Sequence, residues 1–510
     1  MNIFSRTFFC TRLALMTKLL SYYLAFALLT PPLLRSAAAN QAPAFASLQS
    51  CCAAAPHLLC LSNDSASAPY QRQKRYCLQQ LIGQGNFAQV FLARDNHSGR
   101  QVAIKLNCFQ AAAEIEDQAN SRSQRMLVQG SKNYASLGQE PNPFIANCIE
   151  CFCQPNPEAP ETIVTIMEFC PCLDLNQLLN QKIARHEVLS EYQAGLILLQ
   201  VLFSLRHLER HGLVHLDLTL KNILFTADNT VKLADFDFCS YDNGSLQTFC
   251  GTPYYLAPEV WERRTLSHKT DMWALGCVLH RLVTLARPFS GLSMEDLAMN
   301  ILNATYRAPL SLSLPMQEIL NQLLTRDPRN RPSARELLRS PMLRFFAASF
   351  YNVITNNSAF IDKYLQKQIL LELKQYFIEQ LAPQQLDFSA LSYKETSWGD
   401  FFQAQSPGGF TPIKLSLYLD QESHSHKLAL YSNSEETSPE HIFDLAEFLT
   451  AFTAFGTPPT AAAAAGYYEI SLLKESSTKL TFYTSSPALR QQWIAIFTQA
   501  LAWQWYSPHY

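Results

Sequence analysis

Three oxygen-bearing side chains mark where this sequence could do chemistry. Asp217 and Asn222 stand five positions apart in His215-Leu216-Asp217-Leu218-Thr219-Leu220-Lys221-Asn222, and Asp235 follows eighteen positions after Asp217 in Ala234-Asp235-Phe236-Asp237, beyond an apolar run. In loops, Asp and Asn most often form turns by hydrogen-bonding their own backbone, so this set alone carries little. Further upstream, Gly83 and Gly85 in Leu81-Ile82-Gly83-Gln84-Gly85-Asn86-Phe87-Ala88-Gln89-Val90 would let the backbone approach phosphates with no side chain in the way. On their own, two glycines more often make a hairpin turn. Cys148, Cys151, Cys153, Cys170 and Cys172 include a ligand-like spacing for zinc. Cys148 to Cys153 would alternate along a strand and could not all face one point, so buried free thiols are the better reading, with Cys170 or Cys172 as a candidate reactive thiol.

Weight comes from order. The glycine stretch lies between segments that read as strands and is followed by Val102-Ala103-Ile104-Lys105, then by the strand Ile163 to Glu168 running into Phe169-Cys170-Pro171-Cys172. Ser190-Glu191-Tyr192-Gln193 is a capping-box start for a helix with Leu196, Leu199, Phe203 and Leu208 at helical spacing, which carries the chain to Asp217. Beyond Asp235 come Thr248 to Glu259, including Gly251-Thr252-Pro253 and Ala257-Pro258-Glu259, then Asp271-Met272-Trp273-Ala274-Leu275-Gly276 and Arg331. This ordered set resembles a eukaryotic-type serine/threonine protein kinase domain.

That resemblance implies roles. Asp217 would accept or orient the substrate hydroxyl proton, and Asn222 and Asp235 would hold Mg²⁺, with Mn²⁺ as a substitute. ATP would lie against Gly83, Gly85, Val90 and Ala103, with Lys105 on its phosphates. Met167 would be the gatekeeper, and Glu168 and Cys170 would border the adenine. Glu259 and Arg331 would form a buried ion pair, Asp271 would brace the catalytic loop, and Thr252 would bond Asp217.

Several positions depart from the family pattern. The Arg that usually follows the loop His is Leu216, which leaves no guanidinium to grip a phosphorylated Thr248, so activation-loop phosphorylation should be dispensable. Thr219 stands where such kinases place a Lys. Lys221, two residues on, would supply a catalytic cation or else be a solvated loop lysine. Asp237 replaces the Gly of the metal loop, which restricts φ and adds a carboxylate near the cations. Lys105 should pair with a helix Glu, yet Glu114 and Glu116 come only nine and eleven residues after it. Glu116 is the favoured partner, Glu114 the second, and an absent ion pair the third reading.

The implied fold is α+β: a bilobal kinase domain over 76–350, with a β-rich N-lobe and a helical C-lobe, a helical linker over 351–392, and a further domain over 393–510. A chain of 510 residues with 48% hydrophobic content has room for two to four domains and ample core. A net charge of −2 gives no electrostatic reason to expect nucleic acid. All fourteen Cys lie at or before Cys277, unlike a disulfide framework.

Residues 1–69 differ from the rest. No acid precedes Asp64, and Arg6, Arg12 and Lys18 lead into an apolar stretch from Leu19 to Thr30, then Arg35-Ser36-Ala37-Ala38-Ala39. Residues 1–39 therefore read as a signal peptide or membrane anchor, with a transit peptide or an uncleaved arm as alternatives. A need for ATP would fit an intracellular site or an exported effector acting inside another cell.

In the linker, Phe360, Tyr364, Ile369, Leu373, Tyr376, Phe377 and Leu381 give an amphipathic face for docking on a lobe or neighbour. Period-two patterns follow at Ile413/Leu415/Leu417/Leu419, Leu428/Leu430, Ile470/Leu472 and Leu480/Phe482. Ser486-Pro487 then opens a helix bearing Leu489, Trp493, Ile496 and Phe497. Strands closed by one helix with a Trp near its start resemble a pleckstrin-homology domain, and imply a β-barrel or sandwich capped by a helix. From residue 393 onward there are six Lys and Arg against eleven Asp and Glu, a balance of −5, so phosphoinositide binding is not expected and a protein partner is. Two functions compete: an active kinase for Ser or Thr of protein substrates, and a pseudokinase scaffold that binds nucleotide or partners without transfer.

Overall fold

The computed structural model describes residues 75–506 apart from 85–87, 109–117, 157–158, 243–250, 263–265, 305, 307–308, 382–392, 396–399, 406–408, 421–424, 433–437, 446–447, 453–467 and 475–478. The described chain divides into two compact units, with the boundary between Arg335 and Glu336.

The first unit opens with strands β1 (Tyr76–Gln84), β2 (Ala88–Asp95) and β3 (Gln101–Cys108), then helix α1 (Gln118–Leu137), β4 (Cys148–Asn156) and β5 (Ala159–Glu168). These strands make one antiparallel sheet in the order β1-β2-β3-β5-β4. Alternating apolar positions set its core: Val102, Ile104 and Leu106 of β3 and Val164 and Ile166 of β5 are buried together with Tyr76 and Ala93. The opposite face of β3, carrying Ala103 and Lys105, is thereby turned to the other side of the sheet.

Then come α2 (Leu175–Ala184), α3 (Glu191–Arg210), short strands β6 (Leu213–Val214), β7 (Ile223–Phe225), β8 (Val231–Leu233) and β9 (Ser240–Tyr241), and helices α4 (Pro258–Trp261), α5 (His268–Thr284), α6 (Met294–Asn303), α7 (Leu314–Leu323) and α8 (Ala334–Leu337). The Ser190/Gln193 capping box expected from the sequence starts α3, Ser190 Oγ accepting from the Gln193 backbone at 3.2 Å. This helix is buried along most of its length and packs on α5 and β8. Phe203 of α3 stacks on Phe144 at 5.4 Å, and Ser204 Oγ donates to the Phe144 carbonyl at 2.7 Å, tying the helix to the segment that leads into β4. The result is the expected bilobal β-then-α arrangement, in a unit that ends at Arg335 rather than at the expected residue 350.

In the second unit, α9 (Pro341–Asn356) and α10 (Lys363–Leu381) pack on each other, with Tyr351 and Phe377 6.1 Å apart and the Tyr376 hydroxyl donating to the Leu338 carbonyl at 2.8 Å. Phe360, Ile369, Leu373, Tyr376 and Phe377 are buried as the periodicity anticipated, whereas Tyr364 is 70% exposed. There follow β10 (Tyr393–Glu395), β11 (Phe401–Gln405), β12 (Gly409–Asp420), β13 (Ser425–Tyr431), β14 (His441–Asp444), β15 (Phe448–Phe452), β16 (Tyr468–Lys474), β17 (Lys479–Thr484) and α11 (Pro487–Tyr506). Both α9 and α10 pack on β15, and α10 also packs on α11, so this helical pair belongs to the C-terminal unit rather than linking to it.

The strands form one antiparallel sheet, β14-β13-β12-β11-β17-β16-β15, with β10 added on β12. The expected barrel or sandwich is not what forms. Among the described residues the end strands β14 and β15, consecutive in the chain, do not pair, and the sheet stays open. Its buried face, including Phe401, Ile413, Leu415, Leu417, Leu428, Leu430, Ile470, Leu472 and Phe482, is covered by Trp493, Ile496 and Phe497 of α11. Ser486 caps that helix, its Oγ accepting from Leu489 N at 3.2 Å.

Candidate active site

The sheet of the N-lobe assembles one wall of the cleft by register alone. Val90 lies opposite Lys105 and Lys105 opposite Thr165, while Ala103 lies opposite Met167. Gly83 is the cross-strand partner of Val90. The expected nucleotide residues of β1, β2, β3 and β5 thus share one patch of sheet.

Lys105 is buried, its side chain only 8% exposed, and it sits between two carboxylates. Its Nζ is 2.7 Å from Asp235 Oδ1 and 2.7 Å from Asp237 Oδ2. Burial alone would pull its pKa down, but Asp235 and Asp237 outweigh that and leave it above the usual lysine value. Burial likewise opposes ionisation of Asp235, and Lys105 beside it holds that carboxyl below the usual range. For Asp237 burial and the neighbouring Asp235 win, and its pKa rises. Asn107 Nδ2 also reaches Asp237, at 3.3 and 3.4 Å.

Helix α1 closes this pocket from behind. Ser131 and Tyr134 line it together with Lys105, Thr165, Met167, Asp235, Phe236 and Asp237. Gly130 lets the helix backbone touch the metal loop: a Cβ there would lie 2.1 Å from the Asp237 carbonyl oxygen. Phe236 is held between Tyr134, stacked at 4.6 Å, and His215, edge-on at 4.8 Å. The Tyr134 hydroxyl donates in turn to the Ala146 carbonyl.

The catalytic loop is fixed from below by Asp271 on α5, whose Oδ2 and Oδ1 accept from the backbone N–H of His215 at 2.7 Å and of Leu216 at 2.9 Å. These bonds hold Leu216 in the left-handed region, at φ +68, a conformation that costs a non-glycine residue about 1–2 kcal/mol. Asp235 shares it, at φ +66. Complete burial lowers the His215 pKa to about 4, so the ring is neutral. A proton on Nε2 satisfies both contacts, Nε2 lying 3.1 Å from the Ala234 carbonyl while Nδ1 accepts from Asp217 N at 3.3 Å.

Asp217 has both carboxylate oxygens aimed. Oδ1 accepts from the Thr252 N–H at 2.9 Å and its hydroxyl at 2.8 Å, and Oδ2 accepts from Asn222 Nδ2 at 3.1 Å. Gly251 allows this approach: at φ +94, a Cβ would lie 2.6 Å from the Leu216 carbonyl oxygen. Burial raises the pKa of Asp217 despite these donors.

Residues 76–343, a little over half of the chain, match the family described as "Protein kinase domain". The chain belongs to the protein kinase family. It is 29% identical over 304 residues to serine/threonine-protein kinase Nek1 of Mus musculus, a match covering 59% of this chain and 23% of that protein. To serine/threonine-protein kinase Nek5 of Homo sapiens it is 31% identical over 275 residues, covering 53% and 36%. To putative serine/threonine-protein kinase A of Trypanosoma brucei brucei it is 26% identical over 337 residues, covering 64% and 74%. The chain thus spans under half the length of the two Nek proteins. Its matched segment is a serine/threonine protein kinase domain.

Within this kinase domain the activation segment ends on a buried ion pair. Arg331 Nη1 and Nη2 reach Glu259 Oε1 and Oε2 at 2.8 and 3.1 Å, with side-chain exposures of 0% and 1%. Thr270 Oγ1 donates to the same Glu259, and Arg331 also meets the Lys269 and Thr325 carbonyls. Every charge is matched, as burial requires.

Lys221 is an exposed residue of the catalytic loop. The Glu168 side chain is held by Lys232 Nζ at 2.9 Å and by Asn147 N at 3.1 Å. Burial pushes the Cys170 thiol up to about 12 and raises Cys172, which leaves neither a ready thiolate. Asp237 puts its carboxylate on Lys105 and Asn107. Gly85, Phe87, Glu114, Glu116 and Thr248 lie outside the described residues, as does the N-terminal segment 1–69. Asn107, Gly130, Ser131 and Lys232 carry contacts that sequence reading did not single out.

The donor set suits a hard cation bound together with phosphates. Asn222 uses its amide NH₂ on the Asp217 carbonyl and carboxylate, at 2.8 and 3.1 Å, which leaves its oxygen as a donor. Asp235 has a second carboxylate oxygen beside the one facing Lys105. Among the described residues no group of three or more His, Cys, Asp or Glu is placed to hold a metal ion. No described helix is long and apolar enough to cross a membrane.

Proposed function

We propose that this chain is an active kinase that moves the γ-phosphoryl group of ATP to Ser or Thr hydroxyls of proteins. The observation that carries this is the pinned Asp217: a carboxylate with both oxygens oriented by Thr252 and Asn222, within electrostatic reach of an Asp235 that is itself paired with Lys105. Mg²⁺ held by Asn222 and Asp235 would supply charge neutralisation for the phosphates. Asp217 orients the substrate hydroxyl and takes its proton, and Lys105 steadies the phosphates. Positioning of this kind, rather than covalent chemistry by the protein, is what phosphoryl transfer asks of an enzyme.

Phosphorylation of Thr248 is not needed for this activity, because Leu216 stands where a phosphate-gripping Arg would be and is 8% exposed. Specificity for Ser or Thr rests on Gly251-Thr252-Pro253 and the Thr252 bond to Asp217. Incubating the chain with acidic and basic protein substrates and resolving the phosphoamino acids tests it: phosphoserine or phosphothreonine supports the reading, and phosphotyrosine alone contradicts it.

The C-terminal unit acts as a pleckstrin-homology-like module for a protein partner. What supports this is its strand order, in which the seven main strands, β11 to β17, run 4-3-2-1-7-6-5 with a C-terminal helix over the core. Its −5 charge balance disfavours an anionic headgroup. Residues 1–39 would direct the chain to a membrane or out of the cell of origin.

A further inference from the structure

Two departures from the family pattern, Asp237 and an acid-free helix α1, fall around one side chain. Lys105 lies 2.7 Å from Asp237, which occupies the place of the metal-loop glycine. Helix α1, Gln118–Leu137, contains no acidic residue at all. Where it faces Lys105 it offers Ser131, 5% exposed, in the same small pocket as Lys105, Asp235 and Asp237. The residue before it is Gly130, whose missing side chain lets the helix sit against the Asp237 backbone. Asn107, 1% exposed, donates to the Asp237 carboxylate and fixes its direction.

A buried ammonium needs a carboxylate that stays with it when its other partner is taken up elsewhere. Asp235 pairs with Lys105, but the same carboxylate is needed by the cation that accompanies ATP. We propose that Asp237 is the carboxylate that positions Lys105, having taken over from the metal loop the part that a helix glutamate would play from α1. The bare Gly130-Ser131 face of α1 is the complement of that exchange: it makes room for the loop that now carries the charge. Asp237 is a positioning residue, since it acts on the phosphates only through Lys105.

Moving the carboxylate has a consequence for control. In this arrangement the lysine and its counter-ion are joined by β3 and the metal loop, and placing the ammonium does not require a charge from α1. A partner that displaces α1 would then disturb the packing around Phe236 before it disturbs Lys105.

The inference rests on the nucleotide-binding reading above, and its test separates the two. The full chain is compared with Asp237→Asn, Asp237→Gly, Ser131→Glu/Asp237→Gly and Glu116→Gln. The measurements are the Kd of a non-hydrolysable ATP analogue with Mg²⁺ by calorimetry, and KM and kcat for ATP. Both single Asp237 variants should weaken nucleotide binding on the order of 10-fold, as expected when a buried charge loses a partner. The double variant, which returns the carboxylate to the helix and frees the loop volume for it, should recover most of that loss. If the chain binds the analogue in this pattern but transfers no phosphate, the kinase reading fails and the positioning role stands. A double variant no better than Asp237→Gly, or a larger loss from Glu116→Gln than from Asp237→Asn, would overturn the inference.

Discussion

Thr252 gives both its hydroxyl and its backbone N–H to one oxygen of Asp217, at 2.8 and 2.9 Å. The activation segment is thereby fastened to the proposed base by two donors, one of which depends on the side chain. Thr252→Ala keeps the backbone donor and loses the other. Because a hydrogen bond to a charged group is worth roughly 1.5–3 kcal/mol, kcat should fall about 10-fold or more with little change in melting temperature. Steady-state kinetics beside a thermal melt would check it, and an unchanged kcat would show that the hydroxyl does not orient Asp217.

Loss of Thr248 should do much less. With Leu216 in place of a guanidinium, a phosphate on that threonine lacks the arginine that would grip it, and Thr248→Ala should retain activity within about twofold. A large loss would mean that another cation performs the switch.

Arg331 and Glu259 make the opposite case, a contact whose removal should cost stability. Both side chains are almost fully enclosed and mutually bidentate. Removing one partner strands the other, which typically costs about 3–5 kcal/mol. Glu259→Gln and Arg331→Leu should each lower the denaturation midpoint of the kinase domain, and a midpoint within error of the parent would refute the claim.

Asp271 supplies a pH signature. Burial lifts its carboxyl from 3.8 to about 7. Between those values the folded chain keeps a proton that the unfolded chain has released, so this group's contribution falls as pH rises and levels off above about 7. The slope is at most about 1.4 kcal/mol per pH unit. Melting curves of the parent and Asp271→Asn should therefore show the parent's advantage shrinking from pH 4 to pH 7, whereas a constant difference would place Asp271 at an ordinary carboxylate value.

The parts of the site that were readable in the sequence are the ones carried by short motifs. Asp217, Asn222, Asp235 and Lys105 keep their types and spacing, and the Ser190 capping box and period-two strands follow from local rules. What stayed hidden depends on contacts between distant segments. Lys105 and Asp235 are 130 residues apart, as are Asn107 and Asp237, so no local pattern announces that Asp237 meets Lys105 and Asn107. The exposure of Lys221 likewise follows from how the loop folds, which its spacing does not encode. In the C-terminal unit, alternation identified the buried face at Ile413, Leu415 and Leu417, yet closure of a sheet depends on whether its end strands pair, which alternation does not encode.

The most direct test of the whole account is transfer of the γ-phosphate itself. The full chain is incubated with Mg²⁺, γ-labelled ATP and a generic protein substrate, beside Asp217→Asn, which keeps the shape of the side chain and removes the charge. Transfer that falls about 10²-fold or more in the variant is the scale expected for losing a positioned base, and is the result predicted here. No transfer by the parent chain, with binding of nucleotide intact, would contradict it and leave a scaffold that holds ATP without using it.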